Sequence, residues 1–490
     1  MGSAGGNEIL SSLWFGASAI TGIELNPVTI SLLTTHFADF TGHIADHPKV
    51  RLVNAEARAF LQETDERFDL IWLVAPDSYA AMNAATSGAF VLSESYLYTE
   101  EMIRVALEHL EPGGILCAQF GEIDFDGKPN RTLRFLGTAR EALAELGVGS
   151  FADHVLVGYS PGYKIGNATI MLRKEPFSRR DVDRFVASVG KVDRATAVYG
   201  LGALSDNGLI REVIELDGAD RTTFYDAYPF KVGPIDDDSP FFWNFVPFMD
   251  VIGLADADER LTMEEGIGER ILLVFLVFAT IFAAVFLLTP LLVARRTWRT
   301  IPFKLEAGIY FASLGLGFML LEVSLIQKLT LFLGYPTYSL TVTLFALLVS
   351  AGLGSLLSER LRGDRNRTLR RLGATLVVLV VLYQLAMPAL VDSAVGLPFA
   401  AKVLLTIGLL VPLGLCLGAF MPLGIRSVAG VTPHREEFVA WCWSVNGFFS
   451  VMTSVLSTLL SMSFGFRVVM VCGAGVYLIG ISALRRIPAG

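Results

Sequence analysis

Apolar and polar positions follow two different patterns along the chain, and the pattern changes near residue 268. Before that point, apolar runs of strand length alternate with stretches of helical period, and no window approaches about 18 uninterrupted apolar residues. Beyond it, apolar runs long enough to cross a hydrocarbon core of roughly 30 Å dominate. The pattern predicts a soluble α/β domain followed by an all-α transmembrane bundle.

The soluble part predicts strands that alternate with helices, as in a Rossmann-like, doubly wound sheet of mostly parallel strands. This domain is expected to cover residues 1–175, and residues 176–268 are expected to form a helical, polar extension and a juxtamembrane linker. The predicted strands are 19–25, 50–53, 68–74, 115–119 and 168–172, and the predicted helices are 8–17, 54–61, 93–109 and 178–190.

The membrane part, residues 269–490, predicts about seven spanning helices and hence a multi-pass protein of the cell membrane. The predicted spans are 271–294, 307–326, 338–357, 373–391, 399–424, 438–463 and 467–484.

Composition and charge divide the chain at the same place. With 53% hydrophobic residues and a mean hydropathy of +0.53, the 490-residue chain is too apolar for a soluble protein. Residues 1–268 hold 21 basic and 40 acidic residues, whereas residues 269–490 hold 18 basic and 8 acidic ones. The acidic part disfavours nucleic acid and favours cationic ligands, although a solvated acidic surface explains the same excess. The four cysteines have neither disulfide nor zinc-site spacing, and no metal site is predicted.

A glycine cluster opens the chain at Gly2, Gly5 and Gly6, and Glu24 lies at the end of the next predicted strand. A glycine turn that begins a helix lets a ligand approach the backbone, and an acid about 20 residues later can accept hydrogen bonds from ribose hydroxyls. The pair predicts a nucleoside site, and a flexible N-terminus is the alternative interpretation. The apolar strand that should precede the glycines is missing before Met1, so we expect the domain to lack its first strand.

Other polar residues follow strands that end at the same predicted edge of the sheet. Glu56 follows the second strand, where it can approach the adenine of a nucleoside or interact with a helix dipole. Asp77 follows the third strand and is the candidate to face the ligand, and Gln119 ends the fourth. The small residues of 80–88 suit a mobile lid.

The order of these features resembles the spermidine/spermine synthases (polyamine aminopropyltransferases), specifically their membrane-fused bacterial branch. The resemblance covers residues 1–175 and continues into the membrane part. The segments that carry it, after the glycine turn, are GIELNP (22–27), NAEARAFL (54–61), DLIWLVAPDS (69–78), SESYLYT (93–99), LEPGGILCAQ (110–119), DDDSPFFWNF (236–245), GLGFMLLEVSLIQKLTLFLGYPTYSL (315–340) and WSVNGFFSV (443–451).

The resemblance implies a cofactor, which is decarboxylated S-adenosylmethionine, or S-adenosylmethionine in a methyltransferase-like relative. It implies that Gly2, Gly5 and Gly6 hold this cofactor, that Glu24 binds its ribose and that Glu56 approaches its adenine. The activity implied is transfer of an aminopropyl or related alkyl group to a polyamine or other amine.

On the amine side, the resemblance implies that Asp77 is catalytic and that Gln119 and Tyr96 line the substrate. The family's strand ends in a D-x-x-D pattern, and Val74 stands where the first aspartate, usually the general base, is expected. Val74 therefore favours a second hypothesis, a catalytically degenerate sensor of a nucleoside or polyamine that regulates a transporting or scaffolding bundle. Glu24 and Asp77 favour the transferase.

The sidedness of the soluble domain is predicted in two conflicting ways. Fourteen of the eighteen basic residues of the membrane part lie in 295–304, 358–371, 426–435 and the C-terminal tail, which the positive-inside rule places in the cytoplasm. Seven spans would then put the soluble domain outside, whereas S-adenosyl compounds are cytosolic. We expect a cytoplasmic domain, because long domains escape the rule. The lipid bilayer is a partner, and a homo-oligomer is left open.

Polar residues inside the membrane part add one more candidate site. Glu322, Gln327 and Lys328 lie on or near one span, and Asn446 lies in another. Ionisable groups in a bilayer are costly and often functional, so a path for a cationic amine is one interpretation, and bonding between helices or snorkelling is the other. In the soluble part, the three aspartates 236–238 predict either a metal or amine contact or a turn before 241–243.

Overall fold

The computed structural model describes residues 1–74, 96–247, 251, 266–293, 295–360 and 363–488. These residues form two compact units that divide between Gly266 and Ile267, two residues before the boundary expected from the hydropathy change. The first is an α/β unit, and the second consists of long apolar helices.

Strands of the soluble unit form two sheets within the described ranges. In the first, β1 (Ile20–Glu24) and β2 (Val50–Asn54) are parallel. The second has the order β3-β4-β6-β5-β7, with β3 and β4 parallel and the other pairs antiparallel. Its strands are β3 (Phe68–Leu73), β4 (Leu110–Glu122), β5 (Val155–Ser160), β6 (Gly166–Leu172) and β7 (Thr196–Gly200).

These sheets correct three details of the prediction. The single, mostly parallel sheet is instead one parallel pair and one mixed sheet. β7 lies where helix was expected, because its five residues are too few to show a period. β4 begins at Leu110 rather than 115: its register to β3 shifts between Phe68 and Leu70, and this irregularity accommodates Pro112, which cannot donate a ladder hydrogen bond.

The first residues of the chain lie between the two sheets. The backbone nitrogens of Gly2 and Ser3 donate to the Ile23 carbonyl of β1 at 2.9 and 3.1 Å. The amino group of Met1 donates to the Trp72 carbonyl of β3 at 2.7 Å. These three residues therefore tie an edge strand of one sheet to an edge strand of the other.

Helices of the soluble unit cover the sheets. α1 ends three residues before its predicted end, and α4 begins at Glu100 after a 3₁₀ turn, because Thr99 caps its N-terminus. The bounds are α1 (Asn7–Trp14), α2 (Pro27–Ser31), α3 (Ala57–Glu63), α4 (Glu100–Glu108), α5 (Asn130–Glu145), α6 (Arg179–Val189), α7 (Gly208–Glu215) and α8 (Gly218–Ala227).

An aromatic cluster forms the core beneath α5. Phe242 stacks on Phe120 of β4, with ring centroids 5.2 Å apart, and lies 4.5 Å from the ring of Tyr98. Phe242 is fully buried, so the predicted turn before residues 241–243 sends these aromatic residues into the soluble unit. Asp236 forms that turn by accepting from the backbone nitrogens of Asp238 and Ser239.

Six helices of the membrane unit are long and apolar enough to cross a bilayer, among the residues described. The spanning helices are α9 (Ile267–Val293), α11 (Lys304–Leu333), α12 (Pro336–Leu357), α13 (Arg365–Ala394), α14 (Phe399–Gly418), continued by α15 (Phe420–Ala429), and α16 (Arg435–Leu484); a short α10 (Arg295–Thr300) joins the first two. Together they make a multi-pass membrane unit.

The segments predicted as separate spans at 438–463 and 467–484 both belong to α16, which is broken at Gly465 by non-helical backbone angles. A Cβ atom at Gly308 of α11 would lie 3.1 Å from Trp441, and one at Gly480 would lie 2.8 Å from Ser313 of α11. A straight helix would separate Trp441 from Gly480 by about 58 Å. Both contact points on α11 are only five residues apart, so α16 folds back at Gly465.

Candidate functional site

The carboxylate of Glu24 lies against the glycine turn. Glu24 is the last residue of β1, and its Oε2 accepts from the backbone nitrogen of Ala4 at 3.0 Å. Its Oε1 accepts from the backbone nitrogen of Asn26 at 2.9 Å. Both oxygens remain at the surface, so their other lone pairs can accept from hydroxyls of a ligand.

The turn itself has the open backbone that a close ligand needs. Gly2, Ala4 and Gly6 all have positive φ, at 76°, 37° and 84°. A Cβ atom at Gly5 would meet nothing within 4 Å. The hydroxyl of Ser3 is buried and has no hydrogen-bond partner, so a donor or acceptor in this turn is still unused.

Ala4 stores strain in the turn, because an L-residue with a side chain disfavours the left-handed region by about 1–2 kcal/mol. We expect Ala4→Gly to raise the free energy of unfolding by up to about 1 kcal/mol, after the larger entropy of glycine in the unfolded chain is deducted. Chemical denaturation measures the change. Ala187→Gly, on the exposed face of α6, is the control and should lower it by about 1 kcal/mol. An equal loss in both variants would contradict the strain.

The second strand end lies beside the first. Glu24 and Asn54 are paired in register, and the Asn54 amide donates to the carbonyls of Glu24 and Leu25 at 2.9 and 3.0 Å. Glu56, two residues further on, is buried, and its Oε2 accepts from the backbone nitrogen of Ala59 at 2.8 Å. Burial raises the pKa of Glu56. The structure thus places Glu56 at the expected edge, with its carboxyl capping α3.

Gln119 lies three residues before the end of β4 rather than at its end, and its side chain is held by its neighbours. Leu73 pairs with Ala118, so Gln119 lies level with Val74 at the carboxyl end of β3. Its Oε1 accepts from Trp72 Nε1 at 3.1 Å, and its Nε2 donates to Thr169 Oγ1 at 3.2 Å. The amide therefore spans three strands on one face of the sheet. Asp77 and the expected lid, 80–88, lie outside the described residues.

Tyr96 lies in a buried polar cluster rather than at an open surface, since its side chain is 1% exposed. Beside it, the guanidinium of Arg58 forms a two-pronged pair with Asp237, with both nitrogen–oxygen distances 2.6 Å. Thr99 donates to Asp237 at 2.8 Å, and the backbone nitrogen of Asp237 donates to Glu101 at 3.0 Å. Burial and the nearby charge of Asp237 raise the pKa of Glu101 to about 8.

The Arg58–Asp237 pair connects the parts of the candidate site, and the sequence analysis missed it. Arg58 begins the helix that Glu56 caps, and Asp237 bonds Thr99, next to the turn of Tyr96. An arginine in an amphipathic helix is expected at the surface, so the local sequence pattern did not predict that Arg58 is buried. The signal available was the run of three aspartates, which needs a counter-charge.

A second buried arginine, Arg134 of α5, was also missed. Its guanidinium donates to the carbonyls of Phe241, Phe242 and Asn244 at 2.9, 2.5 and 2.9 Å, and to that of Lys231. Its charge lies over the Phe245 ring, 4.6 Å from the centroid. Arg134 therefore organises the segment that supplies Asp237.

One further pocket, of about 450 Å³, lies at the start of α7 and is lined by Asp206, Asn207 and Arg211 among others. It adjoins β7, the edge of the five-stranded sheet opposite β3. The Asn207 side chain already caps α7 there. This pocket is therefore separate from the glycine turn.

The described residues bring together the glycine turn, Glu24 and Glu56, and they place Gln119 and Tyr96 nearby with their side chains held by protein groups. They contain no group of three or more His, Cys, Asp and Glu side chains that could hold a metal ion. Compared with models of known protein families, the chain matches none of them.

Proposed function

We propose that the soluble unit binds an S-adenosyl nucleoside and transfers its aminopropyl or related alkyl group to a polyamine or other amine at the membrane. One observation carries the proposal: the Glu24 carboxylate lies 3.0 Å from the backbone nitrogen of the glycine turn. A ribose lying across this turn would present its hydroxyls to the carboxylate. The open space at Gly5 is consistent with a ligand there.

A Rossmann-like arrangement is part of the same proposal. β1 with β2 and β3 with β4 are parallel pairs: Glu24 ends β1, Glu56 follows β2, and Gln119 lies in β4 level with the carboxyl end of β3. Ligands of open α/β sheets bind at that edge. Met1–Ser3 bonds to both β1 and β3, so the glycine turn lies between the β1–β2 pair and the β3–β4 pair.

When bound, the cofactor supplies a sulfonium carbon that an amine nitrogen attacks, so that a carbon–nitrogen bond forms, the carbon–sulfur bond breaks and a thioether leaves. The chain's own residues must hold the sugar and attract a cationic amine. Glu24 holds the sugar. The excess of acidic residues before position 268 provides a negative electrostatic field that attracts the amine. The amine must lose a proton to react. Asp77 is the proposed acceptor of that proton.

A non-catalytic sensor is the second candidate function. Three observations favour it: Val74 stands at the strand end, the Gln119 amide already bonds two neighbouring side chains, and Tyr96 is buried. Each reduces the polar surface offered to an amine. This version keeps the nucleoside site and drops the transfer step, so binding without turnover distinguishes it.

We expect Glu24→Gln to weaken nucleoside binding at least about tenfold, because hydrogen bonds to a charged acceptor contribute roughly 1.5–3 kcal/mol each. Calorimetric titration of the full chain in detergent, with methylthioadenosine or decarboxylated S-adenosylmethionine, measures the affinity. Glu66→Gln is the control, since Glu66 is a half-exposed carboxylate paired with Arg51 on the surface. Unchanged affinity in Glu24→Gln would remove the cofactor assignment, and putrescine turnover by the wild type would exclude the sensor.

The same proposal requires the soluble unit to face the cytoplasm, where S-adenosyl compounds are made. We expect a membrane-impermeant maleimide to leave Asp193→Cys unlabelled in intact cells and to label it after lysis. Asp193 is suitable because its side chain is 94% exposed. Arg296→Cys, in the basic segment after α9, reports the side of that segment, and the wild type accounts for the native thiols. Labelling of Asp193→Cys in intact cells would place the unit outside.

A further inference from the structure

Glu322 lies in the interior of the membrane unit. It belongs to α11, the most buried of the spanning helices, and is only 5% exposed. It is 18 residues from Lys304 and 11 from Leu333, about 27 and 17 Å along the helix axis. A carboxyl group at this depth lies well inside a hydrocarbon core of roughly 30 Å.

Among the described residues, no charged side chain neutralises this carboxyl group. In the described part of the chain, no side chain forms an ion pair or hydrogen bond with it, and its electrostatic partner is the phenol of Tyr477 on α16. The buried Lys402 of α14 lies 6.0 Å from the ring of Phe332, ten residues further along α11, which is about 15 Å from Glu322. Lys328 lies six residues further along α11, about 9 Å along the helix axis. The other titratable groups on the helices packed against α11 are Tyr338, Cys416, Arg426, Cys442, Arg467 and Cys472, and among the described residues none of them pairs with Glu322.

The helices beside Glu322 pack closely at two glycines, Gly317 and Gly473. A Cβ atom at Gly317 would lie 2.5 Å from the Tyr477 ring, and one at Gly473 would lie 3.1 Å from Leu321. Leu321 and Leu325, on the same helix as Glu322, are fully buried. The amine path considered from the sequence would therefore need the helices to separate. Asn446 fits the other interpretation, bonding between helices, since its amide donates to the Phe311 carbonyl of α11 at 3.3 Å.

Hydroxyl groups of α16 lie level with Glu322. Gly315 of α11 contacts Asn446 and Ser450 in the first half of α16, which runs parallel to α11. Glu322 lies seven residues beyond Gly315 on α11. The positions seven residues beyond Asn446 and Ser450 on α16 are Thr453 and Ser457, so these two residues are level with Glu322. Both are fully buried, and each hydroxyl donates to a carbonyl of its own helix, which leaves only lone pairs to offer. Ser461, one turn beyond, has a buried hydroxyl without a partner.

A neutral carboxylic acid matches these surroundings, because it has a proton to donate to hydroxyl lone pairs. An ionised carboxylate would face the lone pairs of Thr453 and Ser457 in a medium of low dielectric, and a buried carboxylate without a counter-charge takes up a proton instead. We propose that Glu322 is a proton-binding site in the core of the membrane unit, with Tyr477, Thr453 and Ser457 as its polar surroundings. The ligand is a proton rather than a metal ion or an amine.

Infrared difference spectroscopy of the full chain in lipid vesicles tests this inference. We expect the difference between the wild type and Glu322→Gln at neutral pH to show loss of a protonated-carboxyl C=O band, which shifts when the vesicles are exchanged into D₂O. Tyr477→Phe should shift that band without removing it. Glu306→Gln is the matched control, since Glu306 lies in the first turn of the same helix and should lose carboxylate bands instead.

Loss of carboxylate stretching bands in Glu322→Gln would overturn the proposal. So would conversion of the C=O band to carboxylate bands by added sodium ions or putrescine, which would make the site a cation site. If Glu322→Gln does not fold, Glu322→Asp keeps the carboxyl group, and a displaced C=O band in that variant supports the proposal, whereas an unmoved one contradicts it.

Discussion

Replacement of Arg58 by methionine is expected to lower the free energy of unfolding of the soluble unit by about 3–5 kcal/mol. Arg58 is 5% exposed, and its guanidinium forms both short contacts with Asp237. The variant leaves Asp237 beside Glu101 with no cation, in a site where the pKa of Glu101 is already raised to about 8. Urea denaturation of the full chain in detergent, followed by tryptophan fluorescence, measures the loss.

Two control variants separate the effect of burying this pair on stability from the effect of removing a charge. Arg51→Met removes one partner of a pair with the same 2.6 Å distance, but both side chains are half-exposed, so the loss should stay below about 1 kcal/mol. The double variant Arg58→Met with Asp237→Leu should recover part of the loss, because no unpaired charge remains buried. Similar losses at Arg51 and Arg58 would show that burial does not govern the pair.

Replacement of Arg134 by methionine is the second large effect expected, a loss of at least about 3 kcal/mol. Four backbone carbonyls accept from its guanidinium, and its charge packs on the ring of Phe245. Methionine fills a similar volume but leaves these carbonyls without donors, and each buried unsatisfied acceptor costs about 1–3 kcal/mol. The measurement is again the urea transition of the full chain.

Arg134→Lys tests whether geometry or charge is responsible. Lysine keeps the charge but has no planar fork to reach four carbonyls, so we expect it to recover less than half of the loss. Arg184→Met, on the exposed face of α6, should change stability by less than about 0.5 kcal/mol. Full recovery in Arg134→Lys would reduce the role of Arg134 to its charge.

Most regular elements followed from local pattern. The second strand appears within one residue of its predicted bounds, and the helix after it begins three residues later than predicted, at Ala57, because Glu56 caps it. α6 appears as predicted and begins at a capping box formed by Ser178 and Asp181. The errors came where a short element has no measurable period, as in β7, or where a proline tolerated by a register shift looked like a turn, as at Pro112 in β4.

The candidate site was predictable in position and less so in side-chain role. Glu24 and the glycine turn lie together, joined at Ala4, because the carboxyl end of a strand and the start of a helix share one edge of the sheet. Glu56 caps a helix through a local donor, the backbone nitrogen of Ala59, whereas the bonds of Gln119 depend on groups from other segments, such as Trp72. A resemblance between sequences assigns a ligand-binding role to such a residue, but it does not show which protein groups already form hydrogen bonds with its side chain.

By itself, the sequence determined that an acidic α/β unit precedes a bundle of apolar helices, because hydrophobic period and run length are local properties. It also placed an acid at the end of the strand that follows a glycine turn. Only the tertiary structure decided that Arg58 meets Asp237 across 179 positions, that α16 folds back along α11, and that no charged side chain in the described part of the chain pairs with Glu322. These outcomes depend on which distant groups share a low-dielectric interior, and no local pattern contains that information.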